Sequence, residues 1–244
     1  MKKEIKIINK NLGDTIHELY YSTYTLFGTK NKVDKINNQS ILEAKKNKSE
    51  ITILLHGMLA NYYKTMFFII KFFRKNNIPI VSVGYDYKDD FLKSSKLVKE
   101  QILGIMKKAG IKKVNIIGVC LGGVIARIIA EELDGKKFIN KLITVYAPFK
   151  PVSHKALGYK INDFLGNLSK DNDVFLRDYK KKFTVKNHLA IFCTNDEMLG
   201  KQYPIEKKYS KNVIQIGIKG GHTLVSYSFR AMEIALAYLK EKKI

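Results

Sequence analysis

Cys120 stands at the centre of Ile116-Ile-Gly118-Val-Cys120-Leu-Gly122-Gly123-Val, where a β-branched apolar run gives way to a helical pattern. A thiol on such a strand-to-helix turn lies at a helix N-terminus, where the backbone dipole favours thiolate, the reactive form. The turn is cramped, so the positions two before and two after the nucleophile must lack a Cβ; Gly118 and Gly122 occupy them, and Gly123 follows. The chemistry this suits is attack on an acyl carbon, giving a thioester acyl-enzyme. An imidazole to move the proton and a carboxylate to orient that imidazole complete such a site.

The elements around this turn alternate. Ile51-Thr-Ile-Leu-Leu is a short apolar run suited to a buried parallel strand, followed by a helix over 62–74. Residues 79–87 read as the next strand, and 93–109 as a helix with Gly110 where a C-cap belongs. Strand 113–117, helix 121–133 and strand 141–146 repeat the pattern. It resumes after a lapse with strand 188–193, a short helix after Pro204, strand 212–218 and a final helix over 224–240. This is an α/β chain with a mostly parallel sheet covered by helices on both faces, in a single domain spanning 1–244. The lapse, 149–187, reads as a lid insertion in which Phe149, Leu157, Tyr159, Phe164, Leu165 and Phe175 line an acyl pocket among many lysines. Glu18 to Phe27 fits helix or strand, and the Lys/Asn-rich stretch from Thr29 to Lys48 reads as a surface loop.

The sequence resembles the α/β-hydrolase superfamily over roughly residues 50 to 242. The resemblance implies a lipase- or esterase-like fold with nucleophile, acid and histidine in that chain order. Thr194-Asn-Asp196-Glu-Met sits where the superfamily places its acid, and Gly220-Gly-His222-Thr where it places its histidine. Leu54-Leu-His56-Gly57-Met58 looks like its His-Gly oxyanion loop, which implies that the backbone N–H groups of Met58 and Leu121 form the oxyanion hole, with His56 and Gly57 supporting the loop. On that reading His222 deprotonates Cys120, and Asp196 fixes the tautomer of His222. Most relatives carry Ser where this chain has Cys120; dienelactone hydrolases and polyhydroxyalkanoate synthases share the Gly-x-Cys-x-Gly elbow, the synthases being longer. The expected substrate is a small-molecule or lipid ester or thioester. Acyl transfer through the same triad, or a catalytically silent binding protein on this fold, are the other readings.

Bland roles compete at each position. A free Cys is often a small core residue, the role expected of Cys193. In the superfamily order the strands of Cys120 and Cys193 are separated by one other, about 9 to 10 Å at ~4.8 Å per strand, beyond disulfide reach. Glu197 and Asp86 are rival carboxylates. His56 follows a strand and reads as a structural histidine, while His17, His154 and His188 have no interpretable spacing. No metal motif, dinucleotide fingerprint or P-loop occurs, so no metal or cofactor is implied.

With 44 Lys and Arg against 22 Asp and Glu in 244 residues, the net charge is +22. The basic residues are scattered from Lys2 to Lys243 without a nucleic-acid recognition motif, which argues against specific nucleic-acid binding and leaves weak attraction to anionic membrane surfaces. The longest apolar stretch, Met66 to Phe73, is broken by Lys71 and far too short to span a bilayer. Two cysteines and a polar N-terminus without a signal peptide's shape lead to an expected cytoplasmic location, peripheral at the membrane at most. Nothing in the sequence sets an oligomeric state.

Overall fold

The computed structural model describes residues 6–8, 27–57, 60–149, 183–195, 205, 210–219 and 228–242. Its centre is one seven-stranded sheet made of β1 (Lys6–Ile8), β2 (Ile51–Leu55), β3 (Ile80–Val83), β4 (Val114–Val119), β5 (Ile139–Val145), β6 (His188–Cys193) and β7 (Val213–Ile218). The strands lie in the order β1-β7-β6-β5-β4-β2-β3, and every neighbouring pair is parallel. Parallel strands need helical crossovers that cover both faces, which is why β2 and β4 are buried along their whole length and read as mainly apolar runs, broken only by Thr52 and Asn115.

The helices are α1 (Lys30–Asn47), α2 (Phe67–Lys75), α3 (Phe91–Ala109), α4 (Leu121–Glu132) and α5 (Phe229–Leu239). On one face α2 and α5 pack Phe68, Ile70, Phe73 and Ile234 against Leu54, Ile117 and Ile191. On the other, α3 and α4 pack Val98, Ile102, Ile125 and Ile129 against Ile53, Ile116 and Leu142. Met66 to Phe73 is thus core, apart from exposed Lys71. Among the described residues no helix is long and apolar enough to cross a membrane.

Besides β3, which ends at Val83 although the strand was expected to run to residue 87, three elements depart from expectation. The stretch from Thr29 to Lys48 is not a surface loop but α1, capped by the Thr29 hydroxyl, which accepts from the Lys32 N–H, and ended by Lys48 in the left-handed region at φ 50°. Its Lys and Asn residues hide a stripe at helical spacing: Val33, Ser40 and Ala44 are buried, and Ile36 packs beside them. The helix also covers the sheet's outer edge. The Asn37 side chain donates to the Ser82 carbonyl at 3.0 Å and accepts from the Ser82 N–H at 2.9 Å, and the Ser40 hydroxyl accepts from the Ile80 N–H. An amide and a hydroxyl therefore stand in for a missing neighbour strand along β3. The second departure is α2, which begins at Phe67 rather than at 62, the residues before it forming turns. The third is β1, which adds a strand beside β7 where none was read.

Of the expected lid 149–187, residues 150–182 lie outside the described part, as do 18–26, the short helix expected after Pro204 apart from Ile205, and the first turn expected of the last helix. The residues that flank 150–182 meet. Phe149 and Phe183 pack edge to face at 5.3 Å, and the Arg127 guanidinium of α4 lies 3.9 Å over the Phe183 ring.

Candidate active site

Because all seven strands are parallel, their carboxyl ends deliver the following loops to one edge of the sheet, where ligands bind in open α/β folds. The ends of β2, β3 and β4 bring His56 and Gly57, Tyr85, and Cys120 to that edge.

Cys120 links β4 to α4 with φ 50° and ψ −119°, a conformation that L residues seldom adopt. The surroundings hold it there. Its N–H donates to the Val145 carbonyl at 2.8 Å, and its own carbonyl accepts from the Gly123 N–H at 2.9 Å. A Cβ on Gly118 would lie 2.6 Å from both the Gly122 carbonyl carbon and the Gly123 Cα; one on Gly122 would lie 2.5 Å from the Leu55 carbonyl oxygen and 2.6 Å from that of His56. Helix α4 therefore springs from the strand as tightly as backbone allows, and the half-buried thiol sits at its first turn. Leu121 opens the helix, so its N–H belongs to the unpaired first-turn donors. Gly57 lies against the thiol-bearing residue: a Cβ there would come 2.9 Å from the Cys120 Cβ.

His56 is buried, and its Nδ1 donates to the Gly57 carbonyl at 2.9 Å. Its ring stacks on Tyr85, with centroids 4.2 Å apart and planes 12° from parallel, and the Tyr85 hydroxyl donates to the His56 carbonyl. Burial holds the His56 imidazole below its usual pKa, against the opposing pull of hydrogen bonds to the Gly57 and Tyr85 backbone and of Asp86, so the ring is neutral at pH 7. Burial, with a smaller contribution from nearby Cys120, raises the Tyr85 phenol, which stays a protonated donor. His56 and Tyr85 also line a cavity of about 710 Å³ together with Asn37, Tyr62, Gly84 and Gln101.

Asp86 accepts from the Lys88 N–H at 2.9 Å, closing a turn, and its charge also acts on the His56 ring. His188 is a core residue of β6, its Nε2 3.0 Å from the Thr144 hydroxyl and its ring beside Phe183. Cys193 is buried at the end of β6, with β5 between it and Cys120, and neither cysteine is in a disulfide. Met58, Asp196, Glu197 and His222 lie outside the described residues. Tyr85 was not anticipated from the sequence. The available signal was an aromatic residue two positions past the end of β3, in the run Ser82-Val-Gly-Tyr85, which was read as lying inside the strand.

Solved structures share this architecture. The Pyrococcus furiosus esterase Pf2001 superposes with a TM-score of 0.57 at 16% identity, over 79% of this chain and 83% of that one. Aspergillus fumigatus lipase B gives 0.58 at 14%, over 80% and 53%, and Bacillus licheniformis lipase BlEst2 gives 0.54 at 12%, over 77% and 91%. At such identities the likeness concerns the fold, which is the α/β-hydrolase fold. No curated protein matches the sequence. The model of the palmitoyl protein thioesterase family matches residues 52–190, from β2 through the Cys120 turn into β6. With more than half of its length so matched, the chain belongs to the palmitoyl protein thioesterase family, among the ester- and thioester-cleaving α/β-hydrolases.

Proposed function

We propose that this protein hydrolyses acyl thioesters, and more slowly oxygen esters, with Cys120 as nucleophile, His222 as general base and Asp196 as the residue that orients it. The observation that carries the reading is the enforced turn at Cys120: a thiol at φ 50°, between glycines with no room for a Cβ, at the first turn of α4. That position gives the thiolate a favourable helix dipole and leaves the Leu121 N–H beside the reacting carbon.

The steps follow from those roles. His222 takes the Cys120 proton as sulfur attacks the acyl carbonyl carbon, and the oxygen gains the charge. The N–H groups of Leu121 and Met58 receive that oxyanion, an effect typically worth several kcal/mol. Collapse expels the leaving thiolate, which takes the proton from His222 and leaves the acyl group on Cys120 as a thioester. His222 then deprotonates water, the second tetrahedral species collapses, and the acid departs as Cys120 recovers its proton. Thioesters are favoured because the acyl-enzyme is itself a thioester. Acylation from a thioester trades like for like, whereas acylation from an oxygen ester runs uphill. The family's name directs the first trials to long acyl chains on protein thiols. To the 149–187 stretch we assign the role of lid over that chain, on the strength of the aromatic and aliphatic residues its sequence carries.

The test is hydrolysis of matched thioester and ester substrates from short to long acyl chains by wild type, Cys120→Ala, Cys120→Ser and His222→Ala. Loss of turnover in Cys120→Ala and His222→Ala, with thioesters preferred by wild type, is expected. Equal rates in wild type and Cys120→Ala would remove the proposal.

A further inference from the structure

Tyr85 lies outside the proposed triad and oxyanion hole, yet it is packed onto the segment that supplies one of the oxyanion donors. The amide joining Gly57 to Met58 carries both the Gly57 carbonyl and the Met58 N–H, and a peptide unit is planar, so holding one end orients the other. His56 Nδ1 holds the carbonyl end at 2.9 Å. His56 in turn is fixed twice by Tyr85, whose ring stacks on the imidazole at 4.2 Å and whose hydroxyl donates to the His56 carbonyl. That same carbonyl oxygen lies where a Gly122 Cβ would stand, 2.6 Å away, so it also rests on the first turn of α4. The pair borders the cavity of about 710 Å³ on one side.

We infer that Tyr85 is a positioning residue for the oxyanion hole: through the stack on His56 and the hydrogen bond to its carbonyl, it fixes the amide between Gly57 and Met58. The inference rests on the proposed Cys120 chemistry and adds a residue to it. Tyr85 touches no reacting atom in this role; it sets how squarely the amide meets the carbonyl oxygen as charge develops, where small misplacements weaken an oxyanion donor.

Two reactions of the same sulfur separate this role from others. Acylation of Cys120 by a thioester passes through an oxyanion, whereas alkylation by iodoacetamide displaces iodide at a saturated carbon and does not. Tyr85→Phe keeps the ring on His56 and deletes only the hydroxyl. Its expected phenotype is a kcat for thioester hydrolysis reduced about tenfold or more with KM within about twofold, while alkylation of Cys120, followed by peptide mass spectrometry, proceeds within about twofold of wild type. Tyr238→Phe, which removes a phenol hydroxyl on α5 beside Lys141, away from this edge of the sheet, is the control for loss of a tyrosine hydroxyl and should leave both rates unchanged. Unchanged turnover in Tyr85→Phe would overturn the inference. So would equal slowing of acylation and alkylation, which would mean that the phenol acts on the thiol or on the fold. Cys120→Ala, assayed beside them, keeps the two claims apart: survival of turnover there refutes the nucleophile, whereas an inert Cys120→Ala with a fully active Tyr85→Phe refutes only the role of Tyr85.

Discussion

Glycines at the Cys120 turn and elsewhere make a graded test of how tightly the site is built. Gly118→Ala would drive a methyl group to 2.6 Å from the Gly122 carbonyl carbon and the Gly123 Cα, and Gly122→Ala would drive one to 2.5 Å from the Leu55 carbonyl oxygen. All of these are backbone atoms of β2 or α4, and neither element can rotate aside as a flexible side chain would. Overpacking typically costs about 1–3 kcal/mol, and the upper end applies where only backbone can yield. For a chain of this size about 3 kcal/mol corresponds to a Tm lowered by roughly 6–12 °C. Two other glycines separate contact from conformation. Gly104 lies on the exposed side of α3 with nothing within 4 Å of its missing Cβ, so Gly104→Ala should stabilise by about 1 kcal/mol and raise Tm by roughly 2–4 °C. Gly110 ends α3 at φ 67° in open space, so Gly110→Ala should cost about 1 kcal/mol from backbone strain alone. Thermal unfolding followed by far-UV circular dichroism ranks the four variants. If Gly118→Ala and Gly122→Ala melt no lower than Gly110→Ala, the strand-to-helix turn has slack and does not force the Cys120 geometry.

The remaining predictions concern reactivity and pH. An acyl-directed electrophile should label half-buried Cys120 many times faster than buried Cys193, read by peptide mapping; comparable labelling would deny the thiol at the α4 terminus any special reactivity. His56, held below its unfolded pKa, binds its proton more readily once unfolded. Stability should therefore fall as pH drops through about 6.5, and His56→Gln should flatten that slope in urea titrations between pH 7.5 and 5.5. Arg74 meets Glu43 with two hydrogen bonds of 2.6 Å, joining α2 to α1, and lowers the Glu43 pKa. Glu43→Gln should cost at most about 1 kcal/mol at pH 7, because the pair is partly exposed. That difference should vanish as pH falls through the depressed native pKa of Glu43, whereas a gap persisting at the acid end would assign it to packing.

What the sequence disclosed follows the range of the constraint. The Cys120 turn was legible because its requirements are local: a buried strand, glycines at fixed offsets and a helix at once behind it. Strands β2, β4 and β6 were legible because burial on both faces writes them as predominantly apolar runs. Helix α1 was not, since three buried residues among eighteen, Val33, Ser40 and Ala44, leave a composition that reads as loop. Its purpose, covering the edge of β3 through Asn37, appears only when the strand order is known. Strand β1 is three residues long and is recognisable by its partner β7 rather than by any pattern of its own. Tyr85 was missed for a related reason: its meaning depends on β3 lying beside β2, so that Tyr85, two residues past the end of β3, stacks on His56, the residue after β2.

The central claim is that acyl groups pass through the sulfur of Cys120. Rapid mixing with a long-chain acyl thioester, an acid quench and intact-mass and peptide mass spectrometry would test it directly. The account predicts one acyl group per chain, attached to the peptide containing Cys120, removed by neutral hydroxylamine, and absent from Cys120→Ala, which is also without turnover. Thioester hydrolysis by Cys120→Ala at the wild-type rate, or an acyl group found on another residue, would contradict it.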